Sequence, residues 1–167
     1  HIQNKIYWKE KAKDYPNVPS LYYKKVENLD TSSERLFLNL GKERSDKIRA
    51  LANHKGFKGW NLDLTLYNIF LTALFAFVYR FTGQEQLVIG SPTHNRVKKE
   101  FKNLLGYFVE TFPLFTEVDD EETFTSLFKK VQIESNNFLK KAQLGTSNAE
   151  LNRSFNVFYN YINTYNS

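Results

Sequence analysis

At 167 residues the chain has the length of one ordinary domain. It is 41% hydrophobic, with 15 Phe and 10 Tyr, which excludes wholesale disorder. Its 7 Gly and 4 Pro exclude a collagen-like or low-complexity architecture. With no Cys there is no disulfide framework, cysteine zinc site or thiol nucleophile. The net charge of +5 is too mild to predict a nucleic-acid partner.

Met is absent, position 1 included, so the chain is expected to be a piece of a longer protein. Residues His1 to Lys13 hold no apolar segment of the signal-peptide kind, and a cytoplasmic location is expected. The most hydrophobic run, Leu64 to Phe81, is interrupted by Thr65, Asn68, Thr72 and Arg80. It predicts a buried helix of a soluble domain, not a membrane span.

In chain order, Tyr7 and Trp8 anchor a short helix, and Tyr15 to Pro19 (YPNVP) is a turn-rich connector. Glu34 to Leu40 alternates and reads as a strand ended by Gly41. Lys42 to Asn53 reads as a helix with an Ile48, Leu51 and Ala52 stripe, stopped by Gly56. Leu66 to Phe81 is the clearest helix, with Leu66, Ile69, Phe70, Ala73, Leu74, Phe77, Val78 and Phe81 at helical spacing. Asp63 or Thr65 is expected to cap it and Gly83 to end it. A buried Ala73 would make Ala73→Asp severely destabilising.

Gln86 to Gly90 reads as a short buried strand, followed by a loop from Ser91 to Asn103. Thr111 to Val118 is a strand in which Pro113 implies an edge or a bulge. Thr123 to Ala142 is an amphipathic helix with Phe124, Leu127, Phe128, Val131, Phe138 and Leu139 facing in. Gln143 to Arg153 is a loop, and Phe155 to Ile162 a final aromatic strand. This order predicts an α/β layered domain with a mixed sheet.

The residues alone carry little visible chemistry. His54 sits at a helix end, where the dipole favours it. His94 lies in SPTHNR just past a strand, where α/β domains often place function, but without a carboxylate near it in sequence. No HExxH, GxSxG or phosphate-binding glycine loop occurs. Asp119 to Glu122 (DDEE) reads as a solvated helix start and Arg96 to Lys102 (RVKKEFK) as a solvated loop.

Four segments taken together resemble the condensation domain of nonribosomal peptide synthetases: KIYWKEKAKDYPNVPSL (Lys5 to Leu21), YRFTGQEQLVIGSPTHNR (Tyr79 to Arg96), LLGYFVETFPLF (Leu104 to Phe115) and FNVFYNYIN (Phe155 to Asn163). The second resembles a helix ending in a Tyr-Thr-Gly-Gln turn, a strand and a Gly-x-Pro-x-x-x-Arg loop. The third matches the pattern Ile-Gly-x-Phe-Val-Asn-Thr.

The resemblance implies one lobe of a chloramphenicol-acetyltransferase-like, two-lobe fold. It implies that 1–33 form an inter-lobe connector with the Tyr-Trp helix and that 34–167 form the C-terminal lobe as a single domain. In the complete domain, two carrier-bound thioesters would be joined through an amide bond. The family motif His-His-x-x-x-Asp-Gly belongs to the first lobe and is absent here, so no catalytic residue and no metal site is expected, and the chain alone is expected to be inactive. The implied partners are the missing N-terminal lobe, peptidyl carrier domains and an adenylation domain. The substrates ride on carrier phosphopantetheine, with no directly bound cofactor, nucleic acid or membrane, and the fragment is expected to self-associate.

Gly106, Phe108, Glu110 and Thr111 become tunnel candidates, and Gly83, Gln84, Gly90, Pro92 and Arg96 a structural set. Glu110 departs from the pattern, which has Asn there, and AQLGTSN (Ala142 to Asn148) is a reduced form of a His-Gln-Asp-x-Pro-Phe-Glu motif. A non-catalytic docking module or an epimerization-type relative of the same fold is the alternative.

Overall fold

The computed structural model describes residues 1–18, 32–96, 99–101 and 103–162. The elements are α1 (Ile2–Ala12), α2 (Gly41–Asn53), α3 (Leu62–Thr82), β1 (Gln86–Thr93), a 3-10 turn (Lys99–Phe101), β2 (Glu110–Glu117), α4 (Phe124–Lys141) and α5 (Ala149–Asn152). Residues 19–31 of the connector, three residues of the basic stretch (97, 98 and 102) and Asn163 of the last motif lie outside the described residues.

β1 and β2 pair antiparallel without a break from Gln86↔Glu117 to Thr93↔Glu110. β1 is three residues longer than expected, and Leu87 to Ser91 are all buried. On its other side, Gly90 donates its amide to Val157 O (2.9 Å) and accepts from Tyr159 N (2.8 Å), a parallel bridge centred on Phe158. Both polar groups of Gly90 therefore point away from β2. Its partner across the ladder is Pro113, whose missing N–H is not needed at such a pair. No bulge forms.

Two expected strands are corrected. Residues 34–40 form no strand and join no ladder among the described residues, Leu40 already has helical backbone angles, and Leu36, Phe37 and Leu38 are exposed. Phe155 to Ile162 makes only the single bridge at Phe158. An alternating pattern supplies one half of a ladder, and a strand forms only where a second half lies beside it.

α3 runs four residues further upstream than the periodicity predicts. Its cap is Asn61, not Asp63 or Thr65: Asn61 Oδ1 accepts the Leu64 amide at 2.8 Å. Gly83 ends it at φ +69°, a left-handed position that suits glycine. Its buried side consists of Thr65, Asn68, Ile69, Leu71, Thr72, Phe75 and Val78. Ala73 is exposed, as are Phe77 and Phe81, whose rings stack 6.0 Å apart. Of the expected inward stripe, Ile69 and Val78 are buried, Leu66, Phe70 and Leu74 are half-buried, and Ala73, Phe77 and Phe81 face outward. A helix apolar on most sides does not declare its inner face, and β1 and α4 choose it. Thr72 is tolerated inside because its hydroxyl bonds Asn68 O at 2.6 Å. By length and composition α3 could cross a membrane, while its Leu71, Phe75 and Val78 pack into the core of this chain.

α4 begins with a capping box between Thr123 and Ser126. Leu127, Phe128, Val131 and Phe138 face in as predicted, whereas Phe124 and Leu139 are exposed. α2 stops at Asn53, ahead of Gly56, with His54 extended. Of its stripe, Ala52 is buried with Phe57, Ile69 and Phe128. The segment expected as loop at 143–153 contains the single-turn α5. α1 is docked by Trp8, which is buried, packs on Phe112 at 5.0 Å and donates Nε1–H to Lys141 O at 3.1 Å. Lys11 adds an ion pair to Glu134 of α4.

Candidate functional site

The chain between β1 and β2 folds back on one guanidinium. Arg96 donates to Phe101 O (2.7 Å), Leu104 O (2.8 Å) and Gly106 O (3.0 Å), and lies 4.4 Å from the Phe108 ring centre. A rigid fork of five donors suits three carbonyls in this way, where a lysine ammonium would not. The preceding Asn95, at φ +50°, donates Nδ2–H to Phe108 O at 3.0 Å. Asn95 and Arg96 together hold the start of the Leu104 to Phe115 motif against the end of β1. Phe108 does not enter the main core. It is half-buried, between Arg96 and Phe101.

Glu110 and Thr111 are turned toward the segment after α4. Glu110 Oε1 accepts the Gly145 amide at 2.7 Å, and its Oε2 is buried without a partner. Thr111 donates Oγ1–H to Asn152 Oδ1 and accepts from Ser147 Oγ at its carbonyl (2.7 Å). Residues 143–152 are thereby laced to the start of β2. Gly106 is exposed at the tip of the Arg96-bound loop.

The structural set divides between the two ends of β1. Gln84 donates Nε2–H to Asn17 O (2.9 Å) and Gln86 O (2.7 Å), fixing the helix-to-strand turn beside Gly83. Pro92 and Arg96 stand at the other end. His54 Nδ1 accepts the Gly56 amide at 3.2 Å, a local cap. His1 Nε2 bonds Leu144 O at 2.8 Å. In the acidic run, Glu122 pairs with Lys130 and Asp120 accepts from the Tyr79 hydroxyl. Among the described residues no cluster of His, Asp and Glu could hold a metal.

Two cavities open beside the β1–β2 connection, and Leu139 lines both. One, of about 400 Å³, also touches His1, Asn95, Phe101 and Leu144. The other, of about 330 Å³, has Leu64, Tyr67, Pro92, Val109 and Phe138 as walls and His94, Asn160 and Tyr161 among its lining. Burial, opposed by the bond to Ser91, pushes the Tyr67 hydroxyl up to about 12, so it stays protonated. His94 was visible in the sequence. Asn160, Tyr161 and Leu139 were not, because only the packing of 155–162 beside β1 brings them to it.

The sequence matches the condensation domain family over residues 2–151, and the chain belongs to that family. It is similar to bacitracin synthase 1 of Bacillus licheniformis, with 29% identity over 78% of this chain and 2% of that protein. Its fold is that of the first condensation domain of the CDA synthetase (TM-score 0.70, 18% identity, covering 95% of this chain and 34% of that one). It also matches the cyclization-docking bidomain of the EpoB synthetase from Sorangium cellulosum (TM-score 0.70, 14% identity, covering 95% and 34%). The chain therefore spans about a third of each of these solved structures and a few hundredths of its curated relatives.

Proposed function

We propose that the chain is the C-terminal lobe of a two-lobe condensation domain. Residues 1–33 would link the lobes and 34–167 form the second one. With its first lobe it would join two carrier-bound aminoacyl or peptidyl thioesters: the acceptor amine attacks the donor carbonyl, a C–N bond replaces the C–S bond, and the donor carrier's thiol is released with a proton. The observation that carries this reading is the coverage, nearly the whole of this chain against a third of a solved condensation domain. The sequence also lacks the His-His-x-x-x-Asp-Gly motif that the resemblance assigns to the other lobe.

The partners are then the first lobe, carrier domains bearing phosphopantetheine, and an adenylation domain of the same assembly line in the cytoplasm. Arg96 and Asn95 serve to position the Leu104 to Phe115 motif toward the tunnel. A second reading, a non-catalytic docking module, is favoured by one observation: Glu110 and Thr111, the polar tunnel candidates, are both bonded to 143–152.

The test rejoins this chain to a first lobe carrying the motif and offers two loaded carrier proteins. The rejoined domain should yield the amide product, because the reaction depends on holding both reactants together. The chain alone should yield none. Product from the chain alone refutes the one-lobe reading, and no product from the rejoined domain favours the docking module.

A further inference from the structure

Several walls of the half-open cavity of about 330 Å³ are held by contacts of their own. Tyr67 bonds Ser91 Oγ through its hydroxyl (3.0 Å), accepts the Tyr159 hydroxyl at its carbonyl (3.1 Å) and packs edge-on to Tyr161 (6.2 Å). Phe138 is buried and Pro92 has little backbone freedom. A preformed cavity spends little of a ligand's binding energy on ordering the protein. Its size is at the small end of the ~300–1,000 Å³ range of ligand sites, which suits one side chain better than a peptide.

No Asp, Glu, Lys or Arg lines this cavity. A charged side chain entering it would lose water and gain no partner. By contrast, polar groups gather at its mouth. His94 and Asn160 are both exposed, and neither side chain makes a hydrogen bond among the described residues. An imidazole and a carboxamide can between them accept from an amine and donate to a carbonyl.

We propose that this cavity is the side-chain pocket for an apolar amino acid presented as a thioester, with His94 and Asn160 at its mouth holding the amine and carbonyl. The inference rests on the condensation reading, which supplies the thioester, and it gives a role to the one histidine of the sequence motif that the loop geometry leaves unused. His94 and Asn160 are positioning residues here, with no proton or bond transfer assigned to them. The pocket lies wholly within this chain, so its ligand should bind without the other lobe.

The experiment titrates N-acetylcysteamine thioesters of leucine, phenylalanine and aspartate into the 167-residue chain, with binding read by heteronuclear NMR at low concentration. The leucyl and phenylalanyl probes should saturate and move the resonances of Val109, Leu139 and Tyr161. The aspartyl probe should bind more weakly by about tenfold or more. Leu139 is 54% exposed, so Leu139→Asp should keep the fold while abolishing that preference. Leu139→Ser is the milder variant if thermal melting shows the first to be unfolded. Asn160→Ala should weaken all three probes alike, since they share the amine and carbonyl. Equal affinity for leucyl and aspartyl probes, no saturable binding, or a preference that survives both Leu139 variants would overturn the pocket. Because the readout is binding to this chain alone, absence of binding overturns the pocket while product from the rejoined domain upholds the condensation reading, so the two failures are distinguished.

Discussion

Gly90 carries three contacts at once: it faces Pro113 across the ladder, bridges to 157–159, and lies under the Phe155 ring. A Cβ placed there would stand 2.2 Å from the Phe155 ring, closer than any side chain tolerates. Gly90→Ala should therefore push Phe155 out and cost about 1–3 kcal/mol, the usual penalty for overpacking. A lowered urea midpoint at unchanged slope is the expected result, and an unaltered midpoint would contradict the packing of 155–162 on β1. Some of this scale was legible. Gly83 followed from the need to leave a helix, and Arg96 stood in the structural set that the resemblance implied. The Glu110–Gly145 bond was not, since 35 residues separate the partners and only the fold closes that distance. Through that bond Glu110 holds 143–152 to the start of β2.

At the scale of elements, the helices were readable because caps and periodicity are local properties. α2, α3 and α4 lie where the pattern puts them, within a few residues. The orientation of α3 was not readable. With Leu, Phe and Ala distributed around the helix, several faces compete, and the small hydroxyls of Thr65 and Thr72, which bond their own helix, let the less apolar face go inside. The consequence is a reversal of the sequence expectation. Ala73→Asp should be well tolerated, with a change within about 0.5 kcal/mol, as at ordinary surface sites. Phe75→Ala, at a fully buried position, should cost about 3–5 kcal/mol. Thermal melting of the two variants distinguishes the faces: equal losses, or a larger loss for Ala73→Asp, would restore the original assignment. α1 shows the same dependence on context. Its Tyr-Trp pair was noticed as an anchor, but that Trp8 binds the C-terminal end of α4 joins positions 133 apart in the chain.

Across the whole molecule, the apolar residues left outside fall into groups. Leu36, Phe37 and Leu38 are exposed on the unpaired segment before α2, Phe77 and Phe81 on the outer side of α3, and Leu105 and Tyr107 on the Arg96-bound loop. The 155–162 segment bonds β1 at only one bridge among the described residues. Contiguous exposed apolar groups and open strand edges drive association between copies. The purified chain is therefore expected to self-associate as its concentration rises, seen as a light-scattering mass that climbs above 19.7 kDa. The outer side of α3 should be the main contributor, since its two rings already stack into one patch. The double change Phe77→Glu and Phe81→Glu removes that patch at exposed positions, so it should lower the scattering mass while leaving the melting temperature nearly unchanged. The complementary change, Phe37→Glu, tests the unpaired segment separately. If the wild-type chain stays a clean monomer at high concentration, these surfaces are inert. If Phe37→Glu alone suppresses association, the unpaired segment, and not α3, is the face that draws copies together.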